Sequence, residues 1–280
     1  KKVFFENDAR EMIKVGFIGA GDIAYLHGEG VQASSNAQLH GIWNRTRTRA
    51  EEKASLFDTR VFDTAEELIE AVDVVYVLTN METHHAYCMQ AIEAGKHVLV
   101  EKPTAVTIEE IEEIKAFAHQ KGVQVAPVHN YIYEAPVMRA KELIESGKLG
   151  DLVSLHVLYN IHHPEEVAAR YPGVIRQILT HHAYCTLYLV GQPELVSCMK
   201  ATVNDGSVPQ ENLAMVTMKM RNQALSHLCA SFAADDHAGD PWTFMIKVIG
   251  TKGATRYSYR DWVENTPAVV HSQTYSAYPY

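Results

Sequence analysis

The sequence predicts an α/β chain in two parts: an N-terminal doubly wound parallel sheet, then a C-terminal α+β domain with a largely antiparallel open sheet. Three observations carry that expectation. Strands and helices alternate along the first half. A glycine turn, Gly19-Ala20-Gly21, joins the first strand to the first helix. Beyond Asp151, strand-like runs succeed one another with short turns between them.

Met12–Gly19 (MIKVGFIG) is a short β-rich run that ends in glycine, and Gly21–Ser34 can form a helix. Ala37–Asn44 (AQLHGIWN) reads as the second strand, followed by the polar helical stretch Thr46–Phe57. Thr64–Ala71 (TAEELIEA) begins with a threonine cap and carries a glutamate three positions on. Val72–Thr79 (VDVVYVLT) is almost continuously apolar, as a strand buried on both faces requires. A helix near Thr83–Ala94, the strand Lys96–Glu101, a helix over Thr107–Lys121 and the strand Val123–His129 complete the alternation. A domain boundary is expected at 128/129.

In the second half a helix over Pro136–Ser146 precedes the strand Asp151–Asn160. A helix over Arg176–Gly191 (RQILTHHAYCTLYLVG) follows, with two adjacent histidines. Then come the runs ELVSCMKATV, LAMVTMKM, ALSHLCASF and TFMIKVIG. The chain stops at SAYPY without a closing helix, so further residues are expected beyond Tyr280.

With 280 residues, 47% hydrophobic and 21% charged, the composition is that of a globular chain. A formal charge of −9 argues against a nucleic-acid partner, because phosphate binding needs a basic surface. The one basic cluster, Asn44–Arg49 (NRTRTR), is too local to track a duplex. Cys88, Cys185, Cys198 and Cys229 are scattered without a CxxC pair, which fits free thiols in a reducing cytoplasm. No apolar run is long enough for a transmembrane helix, and the N-terminus lacks the apolar core of a signal peptide.

Gly19-Ala20-Gly21-Asp22-Ile23-Ala24 is a G-x-G-x-x-A pattern lying between a strand and a helix. The first glycine permits the tight turn, the second lets the backbone approach a pyrophosphate, and the small third residue allows close helix–strand packing. The phosphates then meet a helix N-terminus. At the end of the second strand stands Asn44-Arg45-Thr46, with no carboxylate for a ribose 2′-hydroxyl. That favours NADP over NAD, with Arg45 toward the 2′-phosphate. The alternative for Arg45 and Arg47 is a solvated surface pair.

The strand in HVLVEKPTAV stops at Glu101-Lys102-Pro103. Proline holds the preceding residue extended, and ligands in open α/β sheets bind outside the carboxyl ends of strands. Lys102 is thereby a candidate acid–base group, its pKa lowered by desolvation; the alternative is a lysine exposed in a turn.

GFIGAGDIAYLH, AIEAGKHVLVEKP and AKELIESGKLGDL, in that order, resemble the glucose-fructose oxidoreductase, inositol dehydrogenase and MocA (Gfo/Idh/MocA) family over essentially the whole chain. The resemblance implies an N-terminal Rossmann domain over 1–128. Over 129–280 it implies a substrate-binding domain whose open sheet often mediates dimers or tetramers. It implies hydride transfer between NAD(P) and a sugar, cyclitol or related polyol. Lys102 matches the family's active-site lysine, Thr79 the strand end beside the cofactor, and His84 a histidine common after that turn. The expected cofactor-binding residues are Gly19, Gly21, Asp22, Ile23, Asn44, Arg45, Thr79, Asn80, His84, Glu101 and Lys102. Two departures stand out. Asn80-Met81 replaces the usual Pro-Asn. In the second-domain helix the family has Asp-x-Gly-x-His-x-x-Asp; counting back from Gly191 puts the histidine at His181, with Gln177 and Tyr184 in the two aspartate positions.

Helical spacing puts Gln177, His181, Tyr184 and Tyr188 on one stripe and Ile178, His182, Cys185 and Leu189 on a more apolar neighbour. His181 is the candidate acid–base group, with Tyr184 as its hydrogen-bonding partner in place of an aspartate. His182 is expected to pack, one ring nitrogen bonded to a neighbour, although it also counts among possible substrate contacts with Asn130, Tyr131, Tyr133, Gln177 and His181. No metal is expected: adjacent histidines diverge by about 100° on a helix, and His162 and His163, close to Glu165 and Glu166 in the sequence, sit in a loop after a strand, where they line a substrate pocket or are solvated.

The reading is reversible oxidation of a secondary alcohol on a carbohydrate-like ring. His181, or Lys102 coupled to it, takes the hydroxyl proton. Lys102 also polarises the oxyanion, and Tyr131, Tyr133, Tyr159 and Tyr171 offer stacking faces. Two alternatives stay open: a glycosidase or epimerase that oxidises the ring transiently and retains NAD(P), and a non-catalytic nucleotide-dependent sensor or co-repressor of sugar metabolism.

Overall fold

The computed structural model describes residues 12–169, 171–203, 210–233, 242–258, 261–266 and 270–274; the chain end at 275–280, with the expectation attached to it, lies outside them. The chain divides into two compact units, the first ending at Val128 and the second beginning at His129.

The first unit is built on a six-stranded parallel sheet. Its strands are β1 (Ile13–Ile18), β2 (Ala37–Trp43), β3 (Arg60–Val61), β4 (Val74–Val77), β5 (His97–Val100) and β6 (Val125–Pro127), in spatial order β3-β2-β1-β4-β5-β6. The order reverses direction at β1/β4, which opens a crevice at the carboxyl ends of those strands. Helices α1 (Ile23–Ala33), α2 (Arg47–Leu56), α3 (Ala65–Ala71), α4 (His84–Glu93) and α5 (Ile108–Lys121) cover it. Successive β1 residues feed opposite cores: Val15 and Phe17 pack with Ala24 and Val31 of α1, while Ile18 packs with Leu68 of α3 and Ile92 of α4. Truncating the fully buried Leu68 to alanine costs about 2–5 kcal/mol.

Local signals set the helix ends. Thr64 Oγ1 accepts the Glu67 amide at 3.1 Å, and Thr107 with Glu110 completes a reciprocal capping box on α5. Gly122, at φ 69°, ends that helix in the left-handed region. The helix expected from Thr83 is preceded by a 3₁₀ turn, Met81–Thr83.

In the second unit a 3₁₀ turn at Asn130–Tyr133 leads into α6 (Ala135–Glu145). There follow β7 (Leu152–Ile161), α7 (Glu165–Ala168), α8 (Thr180–Leu189), β8 (Pro193–Ala201), β9 (Leu213–Met220), β10 (Leu225–Ser231), β11 (Trp242–Gly250), β12 (Ala254–Ser258), β13 (Asp261–Asn265) and β14 (Val270–Thr274). The eight strands run in the order β14-β13-β12-β11-β7-β10-β9-β8. Every described pairing is antiparallel except β7 with β10. One face buries Leu155, Val157, Val216, Leu228, Phe244 and Ile246 in a common core with Leu143 of α6 and Cys185 and Leu189 of α8. On the other face the register aligns Met199, Met215, Cys229, Leu158 and Met245 across five strands.

The segment read as one helix over Arg176–Gly191 is two. Ile175–Leu179 form a π-helical turn, and the α-helix begins only at Thr180. A π turn closes i→i+5 rather than i→i+4. Gln177 and His181 therefore do not stack one α-turn apart, and the four-residue stripe is broken at its N-terminal end. No helix among the described residues is long and apolar enough to cross a membrane.

Candidate functional site

In the first unit a cleft of about 170 Å³ opens at the carboxyl ends of β1, β2 and β4. Gly19, Ala20, Gly21, Trp43, Asn44, Arg45, Thr46, Arg49, Leu78, Thr79, Asn80, Thr83 and Tyr87 line it. Gly19 takes φ +114°, and a Cβ there would lie 2.7 Å from the Leu78 carbonyl carbon, so only glycine fits. At Gly21 a Cβ would meet no atom within 4 Å. The turn is thus closed against β4 and open toward the cleft, at the N-terminus of α1, where unpaired amides and the helix dipole favour an anion. None of the described residues lining the cleft is acidic, and two are arginines. This donor set fits a dinucleotide pyrophosphate.

Asn44 ties the turn to β2. Its Oδ1 accepts the Ala20 amide at 3.1 Å and its Nδ2 donates to Thr46 O at 2.9 Å. The basic cluster divides: Arg45 and Arg49 face the cleft, whereas Arg47 is exposed and pairs with Glu51 and Asp63. Asp22 and Ile23 sit at the start of α1, exposed and outside the cleft lining. Thr79 and Asn80 line the cleft, with Thr83 Oγ1 2.7 Å from Thr79 Oγ1 and 2.8 Å from Asn80 O. Trp43 and Tyr87 meet edge to face, centroids 5.7 Å apart.

Glu101 and Lys102 end β5, and the Lys102–Pro103 peptide is cis. Glu101 is buried; its Oε1 lies 2.9 Å from His27 Nε2 and its Oε2 accepts the Lys102 amide at 3.0 Å. Burial lowers the Lys102 pKa below the ordinary lysine value, with the Glu101 charge opposing it. His84 is buried between two backbone carbonyls: Nδ1 is 2.9 Å from Pro103 O and Nε2 2.9 Å from Thr79 O. None of Glu101, Lys102 and His84 is among the residues lining the cleft. His27, overlooked on sequence, falls on the buried stripe of α1 with Ala24, Gly28 and Val31. Its ring meets Tyr76 edge-on with centroids 5.6 Å apart.

In the second unit the Tyr184 hydroxyl is the hub of a polar cluster that runs from the buried His181 to the exposed Asn130. It accepts the Tyr131 amide at 3.1 Å, donates to Asn130 Oδ1 at 3.2 Å and lies 3.0 Å from His181 Nδ1. A phenol has one proton. Donation of that proton to Asn130 Oδ1 is compatible with the His181 tautomer that donates from Nδ1 to Tyr184. Rings enclose the cluster: Tyr131 lies 4.8 Å from both His181 and Phe244, and His129 lies 4.0 Å from Tyr184, centroid to centroid. His129 and Phe244 were not foreseen. One closed a predicted strand and the other opened one, and neither position carries a signal for a cluster assembled from distant segments.

His182 is fully buried and neither ring nitrogen has a hydrogen-bond partner among the described residues, so the expected bond is not formed. Burial drives its pKa down to about 3, and the closed surface offers a substrate no face of the ring. Gln177 sits on the π turn, half-buried, and Tyr133 is 75% exposed. Tyr159 and Tyr171 are half-buried against the sheet core. His162 is exposed, while His163 packs on Phe232 and Tyr171. Among the described residues no three His, Cys, Asp or Glu side chains converge as metal ligands.

Comparison with known proteins agrees with both halves of this architecture. The family profile described as "Oxidoreductase family, NAD-binding Rossmann fold" matches residues 13–129, and "GFO/IDH/MocA C-terminal domain" matches residues 137–256. Glucose-6-phosphate 3-dehydrogenase of Bacillus subtilis (strain 168) is 26% identical over 88% of this chain and 74% of its own length. The scyllo-inositol 2-dehydrogenase (NADP(+)) IolW of the same organism is 33% identical over 67% of this chain. The match spans 54% of that relative's length, so the chain corresponds to about half of it. The crystal structure of the WlbA dehydrogenase from Bordetella pertussis, in complex with NADH and UDP-GlcNAcA, superposes with a TM-score of 0.83. It is 20% identical and the match covers 92% of this chain and 78% of that one, a likeness of fold.

Proposed function

The chain belongs to the Gfo/Idh/MocA oxidoreductase family, and from that premise we propose that it is an NAD(P)-dependent dehydrogenase acting on a secondary alcohol of a sugar, cyclitol or glycoside. The family and its named relatives, a sugar-phosphate and an inositol dehydrogenase among them, support that class. The observation that carries the chemistry is the geometry at Tyr184, whose hydroxyl lies 3.0 Å from His181 Nδ1 and 3.2 Å from Asn130 Oδ1 and so supports Nε2 as the ring's acceptor. A bound nicotinamide supplies the hydride donor or acceptor.

The chain's own residues do the rest. Gly19, Gly21 and the first turn of α1 cradle the pyrophosphate. Thr79 and Asn80 border the nicotinamide half. Arg45 and Arg49 select the 2′-phosphate of NADP, which the cleft without acidic lining supports. His181 Nε2 takes the hydroxyl proton from the substrate, and Tyr184, fixed by Asn130 and Tyr131, holds the ring in that tautomer. Lys102 Nζ polarises the substrate oxygen, a task that a lysine with a lowered pKa also performs as a proton donor and acceptor. Asn130, Tyr131 and the exposed Tyr133 are the residues offered for contact with the sugar ring. The open sheet face, where Met199 is 79% exposed, supports a homodimer or homotetramer. The four free thiols support a reducing, cytoplasmic setting.

A thermal-shift screen with NAD(H) and NADP(H) tests this, followed by polyols and glycosides in the presence of the better cofactor. Cofactor-dependent oxidation lost in Lys102→Met or in His181→Ala supports the assignment; full turnover in both variants sinks it. Product formed without net reduction, by protein that keeps its cofactor through purification, marks the transient-oxidation alternative. Tight binding with no turnover across the panel marks the sensor.

A further inference from the structure

His84 opens α4 with 1% of its surface exposed. Both partners of its ring are carbonyl oxygens, Pro103 O at Nδ1 and Thr79 O at Nε2, each at 2.9 Å. Neither partner can donate. A neutral imidazole has one N–H and one lone pair. In either tautomer a lone pair would face a carbonyl oxygen at hydrogen-bonding distance. Leaving such a buried pair unbonded is costly. Doubly protonated, the ring donates to both oxygens, and hydrogen bonds from a charged group are stronger than neutral ones. Two effects oppose the charge: desolvation, and the N-terminal position on α4, where the helix dipole disfavours a cation. Two charge-assisted bonds to carbonyl oxygens at 2.9 Å work against both.

We propose that His84 is held as an imidazolium, a buried cation that clamps the end of β4 to the turn bearing Lys102, and so is a positioning residue for that lysine. The clamp has a direct route to the site. Thr79 lines the cofactor cleft, and Pro103 follows Lys102. The Lys102 turn is then held from two sides: His84 grips the Pro103 carbonyl, while the carboxylate of Glu101, paired with His27, accepts the Lys102 amide. The protonation state of His84 stands by itself. Its positioning role rests on the reading of Lys102 as an acid–base group, and neither measurement below uses turnover, so the two failures are distinguishable.

Proton–nitrogen correlation spectra of the full chain, labelled with ¹⁵N-histidine and recorded at neutral pH, read the ring directly. The His84 ring is assigned by its loss in His84→Gln, or by its contacts with Pro103 in the unsubstituted protein if that variant does not fold. Two nitrogens that both carry protons are expected; one nitrogen resonating with a lone pair overturns the proposal. Positioning is read from the pH profile of Lys102 acetylation, scored by mass spectrometry against the exposed Lys115. In His84→Gln, with Glu101 and His27 unchanged, the midpoint for Lys102 shifts upward toward the Lys115 profile. In His84→Leu, which can donate to neither carbonyl, it shifts further. An unmoved midpoint in a folded variant refutes the positioning role.

Discussion

His27 Nε2 stands 2.9 Å from Glu101 Oε1, and the other oxygen of the same carboxylate accepts the Lys102 amide at 3.0 Å. The helix that follows the glycine turn is thereby pinned to the turn that carries the lysine. Removing the ring leaves a buried carboxylate oxygen without its partner, so His27→Ala is expected to lose about 1–3 kcal/mol of stability. His27→Gln, which restores a donor, recovers most of it. Urea unfolding of the three proteins compares them; an alanine variant as stable as the parent contradicts the pairing.

Lys102→Met removes the charge and keeps much of the side chain's length. Oxidation rate falls by about 10²–10⁴-fold, the usual span for loss of an acid–base group, while NADPH binding, followed by its fluorescence, changes little. Because burial places the Lys102 pKa below the ordinary lysine value, the lysine-dependent rise in oxidation rate occurs at a lower pH than a solvated lysine would give. A rise only in the ordinary lysine range contradicts this.

Tyr184→Phe deletes the one hydroxyl that joins His181, Asn130 and Tyr131. Three polar groups lose their common partner, at a cost of about 1–3 kcal/mol in stability. Freed from the phenol, His181 is no longer held to the Nδ1–H tautomer, and kcat is expected to fall at least about tenfold with a smaller change in KM. Steady-state kinetics with the substrate found by screening decides it; a pure KM effect would mean the tyrosine only binds.

Arg45→Ala removes one of two cations from a cleft whose described lining holds no acid. A charge-assisted contact of about 1.5–3 kcal/mol corresponds to an affinity loss of about tenfold or more. NADPH binding should weaken by that factor and NADH binding by less than about twofold. Equal loss for both cofactors would place Arg45 away from the 2′-phosphate. Arg47→Ala serves as the control, since that residue pairs with Glu51 and Asp63 instead.

His182 titrates near 3 in the folded chain and near 6.5 when unfolded. Between those values the unfolded state holds the extra proton, so stability falls as pH drops from about 6.5, by about 1.4 kcal/mol per pH unit. Above 6.5 both states are neutral and the effect vanishes. His182→Leu removes that slope and, because both ring nitrogens are unpartnered among the described residues, costs little at pH 7. Urea unfolding at pH 7 and pH 5 of both proteins measures it; parallel losses in the two would show that another group carries the acid sensitivity.

Much of the first unit was legible because its signals are local. Gly19 marks the tight turn, Val72–Thr79 is almost continuously apolar, and Thr64 with Glu67 marks a helix start within four residues. What escaped was assembled over distance. His27 meets Glu101 across 74 positions, and no pattern along α1 names its partner. The two-residue β3 is too short to show a period. The π turn at Ile175–Leu179 changes the angular step without changing the residue types, so a stripe drawn at α-helical spacing misplaced Gln177 relative to His181. Lys102, Tyr184 and Asn130 were nameable as residues, whereas the contacts that join Tyr184 to Asn130 and His181 needed distances.

β7 pairs in parallel with β10, alone among the described pairings of the second sheet, and this bears on how the second unit is made. Ser154 pairs with Leu225, 225 − 154 = 71 positions later, and β11 on the other side comes later still. Closing so wide a span before any contact rewards it is slow. A nascent chain that ends before Leu225 thus presents a ten-residue strand with both edges bare, open to pairing with another copy. Any excised or truncated version of this unit must keep β7, β10 and β11 on one polypeptide, or it will assemble with its neighbours instead of itself.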